Sequence, residues 1–168
     1  MKKLCLFRHA KSTYASLGTD DVDRPLHEVG FINAPMMGHV ITEQHKFKPD
    51  LILTSNAKRA LQTSKLVAEA IGYDEKKIQI EDKLYEAGVE ALLNQIQLIE
   101  EKYKSVLLIG HNPGLTLLAN FLTDQHIGNL ATCGSIAIEF NTKTWDNITD
   151  AENKILFTDE PKNHQEEP

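Results

Sequence analysis

The chain of 168 residues predicts an α/β fold: a three-layer sandwich with a mostly parallel central sheet of about six strands and helices on both faces. Three observations predict it. Short, nearly continuous apolar runs at Leu4–Phe7, Leu51–Leu53 and Val106–Ile109 fit strands covered on both faces. Between them lie longer segments whose apolar residues recur at helical spacing. The two patterns alternate along the chain, which is the signature of helices packed over a largely parallel sheet.

Lys3 to Phe7 reads as the first strand, followed by a loop containing Ser12, Gly18, Asp20, Asp21, Asp23 and Pro25. Glu28 to about His45 reads as a helix on Ile32, Met36, Val40 and Ile41, with Pro35 marking either a kink or a later start. After the strand at Leu51–Leu53, Ser55 and Asn56 offer N-cap oxygens to a helix that closes at Gly72. In that helix Ala57, Ala60, Leu61, Ser64, Ala68 and Ile71 share one face. Ile78–Glu81 is a further strand, and Val89 to Tyr103 a further helical stripe. After Val106–Ile109, Asn112 is expected to cap a helix with Pro113 at its first position. Ile136–Phe140 and Ile155–Phe157 complete the strands. The expected division is one domain over residues 1–158 and a polar, unstructured tail over 159–168.

Composition narrows the function classes. Net charge is −6, so the basic footprint of a nucleic-acid binder is missing. No apolar run approaches a membrane span, and the apolar start at Leu4 is cut short by Arg8-His9, too early for a signal peptide. A cytoplasmic protein without nucleic-acid or membrane partners is the expectation. Cys5 and Cys133 form no C-x-x-C pair and read as reduced core residues. Metal-ligand spacings and Gly-rich nucleotide loops do not occur, so neither a metal nor a cofactor is expected.

In parallel sheets ligands bind beyond the carboxyl ends of the strands. There the sequence sets Arg8, His9 and Ser12; then Ser55 and Arg59; then Glu86; then His111 and Asn112. Taken singly, each has an ordinary reading: Arg59 as a solvated helix residue, Glu86 as a carboxylate favoured by a helix dipole, His111-Asn112-Pro113 as a capped helix start. Their convergence is what points to chemistry. Two guanidiniums grip the oxygens of a phosphoryl group by paired hydrogen bonds. His111 adds a donor at a helix start, and a neutral imidazole at His9 is a nucleophile available at pH 7. Arg8 and His9 reach one phosphate only if the strand ends there and the chain turns.

Leu6-Phe7-Arg8-His9-Ala10-Lys11-Ser12, Asp23-Arg24-Pro25-Leu26 with Gly30, Thr54 to Thr63, and Gly110-His111-Asn112-Pro113-Gly114 stand in the order found in the histidine phosphatase superfamily, which the chain resembles from about residue 3 to 140. Within it, Arg8-His9-Ala10-Lys11, the Asp23–Leu26 loop and the short length resemble phosphohistidine phosphatases of the SixA type. The resemblance implies that Arg8, Arg59 and His111 form the phosphate pocket and that His9 carries the phosphoryl group. It places Glu86 where many members keep a proton-donating acid. Ser12, Arg24, Ser55 and Asn112 are expected to bind substrate. His27, where a small hydroxyl residue is usual, either adds a donor to the pocket or covers it. Mutases and acid phosphatases wall the pocket with long insertions, whereas Leu93 to Ile109 leaves room here for one helix only. An open pocket accepts a phosphohistidine on a folded partner, either a phosphotransfer domain or a phosphocarrier protein. The expectation is therefore a monomeric phosphohistidine phosphatase acting through a phosphohistidine on His9. The alternatives are a small-molecule phosphomonoester phosphatase or mutase, and a non-catalytic phosphohistidine-binding module.

Overall fold

The computed structural model describes residues 1–165. A six-stranded sheet has the order β3-β2-β4-β1-β5-β6. Its strands are β1 (Lys2–Arg8), β2 (Leu51–Thr54), β3 (Gln79–Ile80), β4 (Ser105–Gly110), β5 (Ser135–Phe140) and β6 (Asn153–Asp159). The pairs β1/β4, β2/β4 and β2/β3 are parallel, and the pairs β1/β5 and β5/β6 are antiparallel. The mostly parallel sheet predicted from the apolar runs is therefore present.

The continuous apolar runs arise because the sheet is covered twice. Side chains alternate across a strand, so Leu4 and Leu6 enter one core while Cys5 and Phe7 enter the other. The first core packs under α3 (Val89–Gln97) and α4 (Gly114–Thr123) through Leu92, Ile96, Leu115 and Leu118. The second packs under α1 (Glu28–His39) and α2 (Lys58–Ile71) through Met37, Ala60 and Val67. Cys5 and Cys133 are both buried and unpaired.

Several elements depart from expectation. Helix α1 starts at Glu28, runs through Pro35 and continues as a π-helical turn over Val40–Gln44, so Pro35 does not set its start. The cap of α2 is neither Ser55 nor Asn56 but Ala57, whose side chain makes no cap bond. Helix α3 ends at Gln97, well before Tyr103. The chain must turn there to feed β4, and the Tyr103 carbonyl, free of a helix, accepts from Lys2 Nζ at 2.9 Å and Trp145 Nε1 at 2.8 Å. Helix α4 begins at Gly114, one residue later than expected, after a cis Asn112–Pro113 peptide. Pro113 is its N-cap rather than its first residue, and Asn112, one position earlier, still satisfies the first turn, its Oδ1 accepting from the Thr116 amide at 3.2 Å. The expected unstructured tail is ordered to Gln165: Asp159 closes β6, and Pro161–His164 form a 3-10 turn with Pro161 buried. The rest of that expectation, 166–168, lies outside the described residues.

The topology creates a crevice. From β1 the chain passes to α1 on one face, and from the adjacent β4 to α4 on the other. Ligands bind where adjacent strand ends diverge in this way. The three central ends are level, with Arg8 opposite Gly110 and Thr54 opposite Ile109.

Candidate active site

Strand β1 stops at Arg8, and the next residues turn rather than continue the pleat. The amide of His9 still donates to the Gly110 carbonyl at 3.0 Å. The Cys133 amide donates to the carbonyls of both Arg8 (3.1 Å) and His9 (3.0 Å), which pins the turn. The Ala10 amide donates to Thr63 Oγ1 at 3.0 Å, and that hydroxyl donates to the Arg59 carbonyl at 2.7 Å. Thr63, buried in α2, thus ties the His9 turn to the helix carrying Arg59. This is how Arg8 and His9, neighbours in the chain, come to line one cleft together with Arg59 and His111. The cleft has a volume of about 660 Å³.

The tautomers follow from the partners. A carbonyl only accepts, so the 2.7 Å contact between His9 Nδ1 and the Ala10 oxygen puts the ring proton on Nδ1. The lone pair then lies on Nε2. Ser55 Oγ accepts from the Ala57 amide at 3.2 Å, and among the described residues the acceptor left for its own proton is His111 Nε2, 2.8 Å away. His111 therefore carries its proton on Nδ1. The two imidazoles lie 5.2 Å apart, centroid to centroid.

Burial pushes the imidazole of His9 down to about 3, and the neighbouring His111, Arg59 and Arg8 push the same way against the Ala10 carbonyl. Burial and then Arg59 push His111 down to about 4, with Arg8 and Arg24 adding and Asp21 opposing. Both rings are neutral at pH 7. Exposures of 7 % for His9, 5 % for Arg59 and 8 % for His111 account for the dominance of burial.

Each arginine is held partly by protein oxygen. Arg8 Nη1 donates to the Leu130 carbonyl at 2.8 Å. Arg59 donates from Nη1 to the Asp21 carbonyl at 2.7 Å and from Nη2 to Asp21 Oδ2 at 3.1 Å. What remains is informative: Arg8 Nε, Arg59 Nε and His111 Nδ1 are buried with no partner among the described residues. Buried donors are normally satisfied. Three unpaired nitrogens on residues lining one cleft suit an oxyanion, with a neutral imidazole beside them able to attack its phosphorus.

Asp21 is the residue that sequence reasoning missed. Besides holding Arg59, its carboxylate accepts from Arg24 Nε at 2.8 Å and from the Tyr85 hydroxyl. The Tyr85 hydrogen bond first, then Arg24 and Arg59, hold its carboxyl well below the usual range. Tyr85 is pushed up to about 12, by burial and by Asp21, and so keeps the proton it donates. The available signal was an acid three residues before Arg24 in a loop rich in aspartate.

The remaining expected residues separate. Ser12 and Arg24 line the cleft, joined by a 3.2 Å hydrogen bond from Arg24 Nη1. Glu86 lines it from an exposed loop with left-handed backbone, φ 53°. Asn112 lines it while its amide donates to the Leu130 carbonyl at 2.9 Å. Ser55, expected against substrate, is instead fully buried behind His111, held by that ring and the Ala57 amide and outside the cleft lining. His27 takes neither expected role: its Nδ1 accepts from the Val29 amide at 3.1 Å and caps α1.

Among the described residues no group of three His, Cys, Asp or Glu side chains stands together as a metal site, and no helix is long and apolar enough to cross a membrane.

Residues 4–113 match the family model of the histidine phosphatase superfamily, branch 1. A protein of Agrobacterium tumefaciens assigned to the SixA phosphohistidine phosphatases is similar in structure, with TM-score 0.78 and 26% identity over 95% of this chain and 98% of that one. The protein histidine phosphatase SixA in complex with tungstate superposes with TM-score 0.82 at 20% identity, covering 97% and 99% of the two chains. A mycobacterial glucosyl-3-phosphoglycerate phosphatase in complex with VO3 shares the fold, with TM-score 0.69 at 15% identity over 92% and 97%.

Proposed function

The chain belongs to the histidine phosphatase superfamily, and from that premise we propose that it hydrolyses phosphohistidine on a partner protein through a phosphohistidine intermediate on His9. One observation carries the reading: the Nδ1 proton of His9 is committed to the Ala10 carbonyl, so Nε2 is unprotonated in a cleft shared with the unpaired donors of Arg8, Arg59 and His111. The 26% identity to a SixA-type protein and the open cleft support a protein-borne substrate.

In the first step His9 Nε2 forms a bond to phosphorus as the bond to the substrate's imidazole breaks. Arg8, Arg59 and His111 Nδ1–H stabilise the charge on the equatorial oxygens, where the catalysis of phosphoryl transfer mostly lies. The departing ring leaves as neutral imidazole when its distal nitrogen carries a proton. His9 mirrors it, retaining its Nδ1 proton and becoming a phosphorylated imidazolium. One P–N bond replaces another, so the step is close to thermoneutral. Water then attacks phosphorus, the Nε2–P bond breaks, both protons of the water leave with the dihydrogen phosphate, and His9, still protonated on Nδ1, returns to its neutral state.

A second reading has its own support. Glu86 lines the cleft, and a phosphomonoester, which releases an alkoxide, needs such a proton donor. The two readings are tested together. The purified protein is incubated with a phosphorylated phosphotransfer domain, a phosphorylated phosphocarrier protein and an acid-stable phosphomonoester, and phosphate release is followed. Fastest release is expected from a phosphohistidine protein, with an acid-labile, base-stable label on the enzyme that His9→Ala abolishes together with turnover. Glu86→Gln is expected to leave that reaction nearly unchanged and to slow the phosphomonoester by roughly 100-fold or more. Full activity in His9→Ala ends the covalent mechanism. Binding of the phosphoproteins without phosphate release makes the chain a binding module.

A further inference from the structure

The mouth of the cleft is apolar on two banks. On one, α4 sets Leu117 in the cleft wall and Phe121 one helical turn beyond it, 51 % and 57 % exposed. On the other, Tyr14 lines the cleft and Leu17, further along the same loop, is fully exposed. Helix α4 already buries Leu115, Leu118, Ala119 and Leu122 in the core, so Leu117 and Phe121 are not needed to attach it to the sheet. Large apolar side chains gathered beside a pocket mark surfaces that are covered in use.

We propose that these banks are the docking surface for the phosphohistidine protein of the preceding section, which seats apolar side chains around its phosphohistidine against Leu117–Phe121 and Tyr14–Leu17. The inference rests on that reading and adds where the partner sits. Three observations select this occupant. The banks are continuous with the cleft, because Leu117 and Tyr14 belong to both. An imidazole tethered to a folded chain cannot reach the cleft without bringing its surroundings onto the banks. Arg8, Lys11, Arg24 and Arg59 line the cleft, while the chain as a whole carries a net charge of −6, so contact beyond the phosphoryl group is best made by apolar surface. A second copy of this chain is a poorer fit, since its own His9 is only 7 % exposed and its net charge repels. An anionic lipid surface is repelled in the same way.

The test compares the phosphorylated phosphotransfer domain and phosphocarrier protein with N-phosphoimidazole, which fills the cleft but has no surroundings. Phe121→Asp, Phe121→Lys and Leu17→Asp, all at exposed positions outside the cleft wall, are each expected to raise KM for the phosphoprotein by about tenfold or more, as loss of an interface anchor does. Their kcat/KM for N-phosphoimidazole is expected to stay within about twofold of wild type, which also shows that they fold, and Phe121→Leu is expected to retain most phosphoprotein activity. Unchanged KM for the phosphoprotein in all three overturns the docking surface while leaving the proposed function intact. An effect of Asp but not of Lys at residue 121 also overturns it, since charge and not apolar contact would then be responsible. Equal losses on both substrates overturn it as well. If wild type cleaves N-phosphoimidazole but neither phosphoprotein, the protein-substrate reading fails first and the docking surface with it.

Discussion

At His9 a single hydrogen bond decides which nitrogen is free to react, and burial decides over what pH range it stays free. The imidazole protonates only near pH 3 and its neighbour His111 only near pH 4. A histidine of ordinary pKa would be about 3% neutral at pH 5. We therefore expect kcat/KM for phosphoramidate, whose ionisation does not change over the interval, to hold nearly constant from pH 7 to pH 5. A decline with a midpoint near 6.5 would show that burial does not govern these rings. The same depression bears on stability. Between about pH 6.5 and these lowered values the unfolded chain binds protons that the native chain does not. The stabilisation is thus complete above pH 6.5 and is lost as pH falls towards 4 and then 3. Arg8, His9, Arg59 and His111 were legible from sequence because each lies at or just beyond a strand end, and strand ends are locally encoded. Asp21 was not, because its partners Arg59 and Tyr85 lie 38 and 64 residues away. Ser55 was read one layer too far forward, because nothing local shows that His111 stands in front of it.

Two glycines show how the helices set the loops of the cleft. A Cβ on Gly114, at the start of α4, would lie 2.1 Å from the Ala87 carbonyl oxygen. One on Gly30, in the first turn of α1, would lie 2.3 Å from the Lys11 carbonyl oxygen. Each helix therefore presses backbone to backbone on a loop that carries a cleft residue, Glu86 in one case and Lys11 in the other. Gly114→Ala is expected to destabilise the protein by about 2 kcal/mol through overpacking, lowering Tm by roughly 4–8 °C for a chain of this size. Thermal unfolding checks this, and an unchanged Tm would mean that the Glu86 loop moves aside freely. Among the described residues, α2 and α3 were found from their amphipathic stripes, a local property, and α4 from Asn112-Pro113 at its start, whereas the stripe expected in α1 set Ile32, which is 67 % exposed, on the inner face. Periodicity misjudged the end of α3, because Ile99 is buried just as a helical residue would be while the backbone has already left the helix.

Across the whole molecule, the last described turn is tied back to His45, which ends the π-helical turn after α1. Asp159 accepts from His45 Nε2 at 2.7 Å, His164 Nε2 at 2.8 Å, the Glu160 amide at 2.8 Å and Asn163 Nδ2 at 3.0 Å. Burial pushes its carboxyl up, but hydrogen bonds from His45, Asn163, His164 and the Glu160 amide outweigh this and hold it well below the usual range. Its contribution is thus present at neutral pH and lost in acid, below the ordinary carboxylate value. Asp159→Ala removes a buried acceptor with several donors and is expected to cost about 2 kcal/mol in urea unfolding at pH 7. Turnover of N-phosphoimidazole should be unchanged, since Asp159 does not line the cleft. A variant as stable as wild type would show that the terminal turn is not part of the cooperative unit.

The amino-acid sequence by itself determined the alternation of strands and helices, the burial of the sheet on both faces and the row of basic and imidazole side chains at the strand ends. These follow from side-chain periodicity and from the polarity of the parallel strand, both of which act over a few residues. Only the tertiary structure decided that Cys133 and Thr63 pin the His9 turn, that Asp21 holds Arg59, and that Ser55 stands behind His111. Those facts depend on distances between residues remote in the chain, and such distances are set by how helices pack across a sheet.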